Sequence, residues 1–306
     1  MTAAPSGDQF EIRHGEQRAT IVEVGGGVRE YSVGDRAVLE PYPLDATCDG
    51  AHGTPLIPWP NRLGDGRYRF DGVDHQVALT EPDKHNAIHG FLRWRSWRAV
   101  EHVDHRVVVH TRIHPLPGYP FTVDVSIAYE LGDGGLTVST TATNLSDGPA
   151  PYGCGQHPYL SPGEGLIDDC TFELDARTRL LTDPERQIPT GREAVEGTDF
   201  DFRQSRRLGE QQIDHAYTDL ARDVTGRTWA RLSAPDGHQV ALWVDEHHPY
   251  VEVYTGDTLA EPRRRHGLAV EPMTCPPNAF QTGDDVIRLG PGQSVTTAWG
   301  AGLVRR

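Results

Sequence analysis

Alternation of apolar and polar residues with a period of two is the feature that most constrains this sequence. It is clearest in segments 121–131 and 136–144, which are separated by Asp133-Gly134-Gly135. Because strand side chains point alternately to opposite faces of a sheet, such segments predict strands with one buried face, joined by a hairpin turn. Similar segments recur along most of the chain, and no long window has the 3.6-residue period of a helix. The sequence therefore predicts an all-β fold, a large sandwich of antiparallel sheets.

The distribution of turn residues indicates how the chain is divided. The 33 glycines and 23 prolines supply many turns, but no linker or low-complexity tract interrupts the sequence. We therefore expect residues 1–306 to form one β-sandwich domain. Segment 183–207 is polar and poor in strand signals, so we expect it to form a long loop over the surface.

The charge balance narrows the range of partners. The chain carries 29 Lys and Arg against 44 Asp and Glu, a formal net charge of −15. This charge repels nucleic-acid phosphates and anionic membrane surfaces, so we expect neither partner. The 4 cysteines form no C-x-x-C motif, and the sequence has neither a secretory leader pattern nor a run of 18 apolar residues. We expect a cytoplasmic protein.

One histidine lies on backbone suited to exposing its side chain. His157 follows Gly153 and Gly155 and precedes Pro158, which disfavours helical backbone at the residue before it. An imidazole with an ordinary pKa of about 6.5 can donate or accept a proton near neutral pH. His157 is therefore a candidate general acid, and the alternative is a solvated surface histidine.

A candidate base lies in the second half of the chain. Glu271 follows the apolar residues 268–270 and precedes Pro272, so its carboxylate emerges where a buried strand meets a stiffened loop. Partial burial raises a glutamate pKa from about 4.3, as a base working near neutral pH requires. The alternative is a glutamate at the rim of a cleft, paired with Arg263 or Arg264.

Three further polar groups lie beside aromatic or glycine-rich sequence. They are Asn61-Arg62 after Trp59, His89 before Gly90-Phe91, and Asp214 in Asp214-His215-Ala216-Tyr217. Guanidinium, amide and carboxylate groups beside aromatic rings are typical of sugar sites. Taken singly, each group could instead be an ordinary turn or core-edge residue.

Other kinds of site receive little support. His85 and His89 would face together only on a helix, which Gly90 disfavours, and H-E-x-x-H is absent, so we predict no metal site. G-x-S-x-G and P-loop motifs are also absent. The run 263–265 of three arginines fits a solvated loop, and it also leaves a phosphate-bearing substrate open.

Taken in order along the chain, these motifs resemble the aldose 1-epimerase (galactose mutarotase) family over roughly residues 20–303. Tyr254-Thr255-Gly256-Asp257 also looks like the strand-end motif that precedes the catalytic glutamate of that family. The resemblance implies a large antiparallel β-sandwich that holds the sugar in a cleft on its concave sheet. It also implies that the protein needs no metal and no organic cofactor.

The resemblance implies specific roles for individual residues. Glu271 matches the base that takes the proton of the C1 hydroxyl, and His157 matches the acid that protonates the ring oxygen. The residues that match sugar-binding positions, or adjoin them, are Asn61, Arg62, His89, Tyr159 and Asp214. Where many family members have glutamate, glutamine and then Pro-Asp-Ala, this chain reads Glu271-Pro272 and Pro277-Asn278-Ala279. These departures leave the identity of the substrate open.

The first functional hypothesis is therefore an aldose 1-epimerase acting on a hexose, with a small sugar as partner and a monomer or homodimer as the working form. One alternative is a hexose-6-phosphate 1-epimerase, and another is a non-catalytic carbohydrate-binding protein of the same fold. A third alternative makes Glu271 and Asp214 the two carboxylates of a glycosidase.

Overall fold

The computed structural model describes residues 4–304, and strands dominate this part of the chain. In chain order the strands are β1 (Gln9–His14), β2 (Gln17–Val22), β3 (Val28–Val33), β4 (Arg36–Leu39), β5 (Pro55–Leu56), β6 (Arg62–Gly64), β7 (Arg67–Phe70), β8 (Val73–Gln76), β9 (Asn86–Ile88), β10 (Arg98–Val103), β11 (Arg106–Ile113), β12 (Val123–Gly132), β13 (Gly135–Asn144), β14 (Ala150–Tyr152), β15 (Gly155–Gln156), β16 (Tyr159–Leu160), β17 (Thr171–Leu174), β18 (Ala176–Thr182), β19 (Pro189–Ala194), β20 (Arg206–Arg207), β21 (Asp214–Leu220), β22 (Thr228–Ser233), β23 (Gln239–Val244), β24 (Tyr250–Tyr254), β25 (Leu268–Met273), β26 (Ile287–Leu289) and β27 (Ser294–Leu303).

Helical structure is confined to short pieces between strands. The α-helix α1 covers Ala279–Thr282, and 3-10 helices cover Pro82–Lys84, Leu92–Trp94 and Ile167–Asp169. Within residues 4–304, no helix has both the length and the apolar character needed to cross a lipid bilayer. The prediction of an all-β fold is confirmed.

Two large sheets contain most of the strands. A 12-stranded sheet runs in the order β1-β2-β3-β4-β16-β25-β24-β21-β18-β19, with β15 and β5 attached beside β25. A 9-stranded sheet runs in the order β10-β11-β12-β13-β27-β23-β22-β17-β20. Every ladder within these sheets is antiparallel, and one continuous apolar core includes residues of both. The architecture is therefore a sandwich of antiparallel sheets, as predicted.

The hairpin predicted from segments 121–131 and 136–144 forms as expected. Strands β12 and β13 pair from Val123 opposite Asn144 to Gly132 opposite Gly135. Burial alternates along both strands, so that one face packs into the core and the other is more exposed. This pattern is the one expected of a two-sheet sandwich with one solvated face.

The prediction for segment 183–207 is only partly right. The segment contains β19, which pairs with β18 at the end of the 12-stranded sheet. The side chains of β19 are exposed or half-buried throughout, as an edge strand allows. Without a buried face the sequence has no alternation, and for this reason periodicity missed the strand.

The middle of the 12-stranded sheet is buried on both faces. All six residues of β25 are buried, and so are four of the five residues of β24. One face meets the 9-stranded sheet, and polar side chains on the other face lie beneath the loops that carry β5 to β9. This second face holds the candidate site.

A glycine beside that site has no room for a side chain. Gly90 has φ +63°, and a Cβ added there would lie 1.9 Å from the carbonyl oxygen of Ile57. Gly15 has a similar φ of +58° but has nothing within 4 Å of an added Cβ. An alanine at Gly15 would therefore have only the strain of left-handed backbone, whereas an alanine at Gly90 would have that strain and a steric clash.

We expect Gly15→Ala to lower the free energy of unfolding by about 1–2 kcal/mol, the cost of left-handed backbone for an L-residue. Gly90→Ala should lower it by about 3 kcal/mol or more, because the clash with Ile57 is added. Urea denaturation of both variants measures the difference. Equal losses would show that the loop at Gly90 moves aside freely.

Candidate active site

Strand register brings the predicted catalytic residues together. Gly155 lies opposite Met273 and Tyr159 lies opposite Ala269, so His157, midway between them, faces Glu271 across the ladder. On the other side of β25, Glu271 pairs with Glu252 of β24. These side chains form one row across the sheet, and a parallel row one pleat away contains Tyr159, Ala269, Tyr254 and Asp214.

The central contact joins an imidazole to a carboxyl group. His157 Nε2 lies 3.1 Å from Glu271 Oε1, and the two side chains are only 6% and 2% exposed. Among the described residues, neither His157 Nδ1 nor Glu271 Oε2 has a hydrogen-bond partner. A buried polar atom without a partner is costly, so these atoms indicate a place that a ligand completes. The alternatives of a solvated His157 and a rim Glu271 paired with Arg263 do not fit this geometry.

Burial sets the protonation state of this pair. It lowers the pKa of His157 to about 3, and the positive charges of Arg93 and Arg62 act in the same direction. Burial also raises the pKa of Glu271 well above its ordinary value, with a further rise from the charge of Asp214 and a smaller opposing effect of Arg62. Both shifts favour the uncharged forms, so a proton at this contact is favoured on Glu271 over His157.

An aromatic stack fixes the orientation of the His157 ring. Tyr159 stacks on His157 with centroids 4.9 Å apart, and His52 stacks on the other face of Tyr159 at 4.1 Å. The Tyr159 hydroxyl donates to the carbonyl of Gly50 at 2.9 Å. Arg263 donates to His52 Nδ1 at 2.6 Å, so this arginine supports the stack from behind.

The predicted sugar-binding residues are held by their own partners. Arg62 donates two hydrogen bonds to Glu81, at 2.9 and 3.1 Å, and lies 3.9 Å from Asp214. The backbone N–H of Asn61 donates to His89 Nδ1 at 3.1 Å. That bond makes Nδ1 the acceptor, so neutral His89 carries its hydrogen on Nε2. Burial lowers the pKa of His89 well below its ordinary value, which keeps the ring neutral.

All seven predicted site residues line one cavity of about 340 Å³. They are Asn61, Arg62, His89, His157, Tyr159, Asp214 and Glu271. Further lining side chains include Tyr254, from the motif Tyr254-Thr255-Gly256-Asp257, and four that sequence reasoning missed: Glu81, Lys84, Arg93 and Gln187. The volume lies in the range of small-molecule sites. Within residues 4–304, no cluster of three or more His, Cys, Asp or Glu side chains is arranged to hold a metal ion.

Glu252 is a second buried carboxyl beside the pair that sequence reasoning missed. It is 3% exposed and lies directly across from Glu271. Burial is the largest cause that raises its pKa well above the ordinary value, and the charges of Asp214 and Glu271 raise it further. Burial and the neighbouring carboxylates therefore favour the protonated form of Glu252. The available signal was a carboxylate in the middle of the otherwise apolar run Tyr250-Val-Glu-Val-Tyr254.

Comparison with solved structures defines the class of protein. The fold is similar to the GalM/aldose epimerase homologue of Caenorhabditis elegans, with TM-score 0.84 at 18% identity, over 97% of this chain and 99% of that one. It is also similar to a galactose mutarotase-like protein of Clostridium acetobutylicum, with TM-score 0.82 at 18% identity, over 97% and 95% of the two chains. The chain therefore has the galactose mutarotase-like β-sandwich fold.

Sequence comparison identifies the family. The model of the aldose 1-epimerase family matches residues 8–299. The uncharacterized protein YihR of Escherichia coli K12 is 34% identical over 289 residues, 94% of this chain and 91% of that protein. The uncharacterized protein YphB of the same organism is 23% identical over 94% of this chain and 96% of that one. The chain belongs to the aldose 1-epimerase family, as the resemblance of its motifs indicated.

The charge of Asp214 should have a measurable effect on the pKa of Glu271. Replacing Asp214 with Asn removes a negative charge that disfavours ionised Glu271, so the pKa of Glu271 should fall. The protonated-carboxyl band that disappears in Glu271→Gln, followed by infrared spectroscopy against pH, reports this pKa. Asp35→Asn removes the same charge from an exposed turn and should leave the band unchanged. An unaltered pKa in Asp214→Asn would contradict the coupling.

Proposed function

We propose that this protein is an aldose 1-epimerase that interconverts the α and β anomers of a hexose by opening and closing the sugar ring. The observation that carries the proposal is the buried contact of 3.1 Å between His157 Nε2 and Glu271 Oε1 at a cavity of about 340 Å³. An acid and a base are held together where one pyranose fits, and each has a second polar atom without a protein partner.

Ring opening needs one proton acceptor and one proton donor. Ionised Glu271 takes the proton of the C1 hydroxyl, and the electrons of that O–H bond form the aldehyde C=O. The bond between C1 and the ring oxygen breaks, and the ring oxygen takes its electrons and a proton from the His157 imidazolium. After rotation about C1–C2, the reverse transfers close the ring on the other face of C1.

The directions of the two pKa shifts suit one half of this cycle. A protonated Glu271 beside a neutral His157 is the state that the site has when the open-chain sugar is bound. Ring opening requires the other tautomer, in which the proton has moved from Glu271 to His157. The two atoms are already in contact, and the move changes no net charge in the buried site.

Substrate binding falls to the polar residues around the pair. Arg62, held by Glu81, presents fixed donors to sugar hydroxyls, and Asp214 presents acceptors beside it. His89 contributes its Nε2–H, while Asn61 fixes the His89 ring from behind. Tyr159 acts through its stack on His157. A positioned acid and base each typically give about 10²–10⁴-fold, which is sufficient because hemiacetal opening already proceeds in water.

The proposed mechanism predicts different effects for replacing Glu271 and for replacing its neighbour Glu252. Glu271→Gln should lower kcat/KM for mutarotation by about 10²–10⁴-fold, because the amide cannot accept the proton. Glu252→Gln should stay within about threefold of the wild type, because glutamine mimics the protonated carboxyl that burial favours at Glu252. Polarimetry on freshly dissolved α-glucose, α-galactose and their 6-phosphates measures both variants.

Each competing interpretation has its own outcome in this experiment. Equal loss in both variants would make Glu252 part of the proton-transfer machinery, and loss in Glu252→Gln alone would identify it as the base. A wild-type protein that binds sugar without accelerating the change in rotation would be a non-catalytic binder. Release of reducing sugar from a glycoside would favour the glycosidase, although Glu271 has a histidine as its contact partner.

A further inference from the structure

The chain contains only one lysine, and that lysine lies at the cavity. It is Lys84, whereas arginine occurs 28 times. The side chain of Lys84 lines the cavity, and its Nζ lies 3.4 Å from Glu81 Oε1. An ammonium group is a compact charge with three N–H donors, whereas a guanidinium presents a planar fork. The mechanism proposed above gives this group no role.

Lys84 belongs to a closed ring of polar side chains, here named the polar ring. Arg62 donates to Glu81 at 2.9 and 3.1 Å, and Lys84 lies between Glu81 and the side-chain oxygen of Gln187. The Gln187 amide donates to Asp214, which lies 3.9 Å from Arg62. All five side chains line the cavity. They come from four separate segments of the chain, so the polar ring exists only in the folded protein.

The tip of the β18–β19 hairpin is fixed so that Gln187 enters the polar ring. Gln187 has left-handed backbone with φ +56°, and its N–H donates to the carbonyl of Asp183 at 2.8 Å. The preceding residue, Arg186, donates to the carbonyl of Lys84 at 3.1 Å. In the other direction, Asn86 Nδ2 donates to the carbonyl of Arg186 at 2.8 Å. These contacts hold Gln187 at the wall of the cavity.

The composition of the polar ring suits hydroxyl groups. Two basic side chains, Arg62 and Lys84, alternate with two acidic ones, and neutral Gln187 joins Lys84 to Asp214. A sugar hydroxyl both donates and accepts hydrogen bonds, so it needs a donor and an acceptor close together. An anion would meet a carboxylate beside each of the two cations. The polar ring therefore suits neighbouring hydroxyl groups better than a charged substituent.

Two members of the polar ring have hydrogen-bond donors to spare. Contacts with Glu81 and Gln187 use two of the three N–H donors of Lys84. The Gln187 amide uses one of its two N–H donors on Asp214. Within residues 4–304 the remaining donors have no partner, so they are available to a ligand in the cavity.

Sheet order places the polar ring on one side of Glu271 and His157 on the other. His157 lies between β15 and β16, which pair with one edge of β25. Strand β24 pairs with the other edge, and β21, which begins at Asp214, comes next. Neighbouring strands are about 4.8 Å apart, so the backbone of Asp214 lies about 10 Å beyond Glu271 in this direction. Glu271 is therefore located between His157 and the polar ring.

We propose that Lys84 and Gln187 determine substrate specificity by binding the hydroxyl groups on C2 and C3 of the sugar. The inference rests on the proposed function, in which Glu271 faces the C1 hydroxyl and His157 faces the ring oxygen. In a pyranose, C1 is bonded to the ring oxygen on one side and to C2 on the other. The carbons that follow C1 in the direction away from His157 are therefore C2 and C3. The substrate class is an aldose with free hydroxyls on both carbons, so 2-deoxy and 2-acetamido sugars are poor substrates.

Binding of unreactive analogues tests this inference without relying on catalysis. 1,5-Anhydroglucitol lacks the C1 hydroxyl and cannot undergo mutarotation. We expect the wild-type protein to bind it at least about tenfold more tightly than its 2,3-dideoxy analogue in titration calorimetry, because hydrogen bonds to charged groups are strong. Lys84→Met and Gln187→Met should each lower this preference at least about threefold. Both variants should bind the dideoxy analogue within about threefold of the wild type, which also shows that they fold.

The 6-deoxy analogue and Arg67→Met are the matched controls. The 6-deoxy analogue lacks a hydroxyl on the other side of the ring oxygen, so its affinity relative to the parent should be the same in all proteins. Arg67 is exposed on β7 and does not line the cavity, so Arg67→Met should keep the full preference. The inference is overturned if the wild type binds the dideoxy analogue as tightly as the parent. It is also overturned if Lys84→Met and Gln187→Met weaken both analogues equally.

Mutarotation rates, measured alongside by polarimetry, distinguish this inference from the proposed function. Loss of the preference in Lys84→Met and Gln187→Met, together with a wild type that accelerates mutarotation of no sugar, would retain the inference and overturn the proposed function. Equal kcat/KM for glucose and 2,3-dideoxyglucose in the wild type would overturn the inference alone.

Discussion

The candidate active site depends on the burial of the Glu271 carboxyl group and the His157 imidazole in contact with each other. Burying one ionised group alone is unfavourable, and burial shifts the pKa of both Glu271 and His157 toward the uncharged form while the two side chains lie 3.1 Å apart. That arrangement requires antiparallel register, because one residue of slip in either strand would turn a side chain to the opposite face. The extended network of the 12-stranded sheet supplies this register.

Around the pair, neighbouring elements also restrict the movement of side chains. The His52–Tyr159–His157 stack holds the imidazole plane, and the backbone of Asn61 holds the ring of His89. Both Asn61 and His89 have positive φ, at +53° and +62°. Strained backbone of this kind persists only where surrounding contacts determine it, which is common at functional sites. The loops that carry Asn61 and His89 therefore form walls of the cavity that many contacts hold in place.

Much of this arrangement could be predicted from sequence, for identifiable reasons. Strands with one buried face show period-two alternation, so the β12–β13 hairpin was visible. Glu271 was identified because a proline follows a buried apolar run, and the same signal marked His157. Local sequence was insufficient where a role depends on a partner across the fold. Glu252 lies in a short apolar strand, and its role depends on Glu271 in the neighbouring strand. The pairing of Lys84 with Gln187 likewise joins loops about a hundred residues apart.

The most direct test of the account is the charge of the His157 imidazole in the unliganded protein. Nitrogen-15 NMR of protein labelled at histidine, with His157 assigned by comparison with His157→Gln, reports that charge across the pH range. The account predicts a neutral ring throughout the region where an ordinary histidine titrates, near pH 6.5, since burial lowers its pKa to about 3. An imidazolium signal at neutral pH would contradict the lowered pKa of His157 and the burial that causes it.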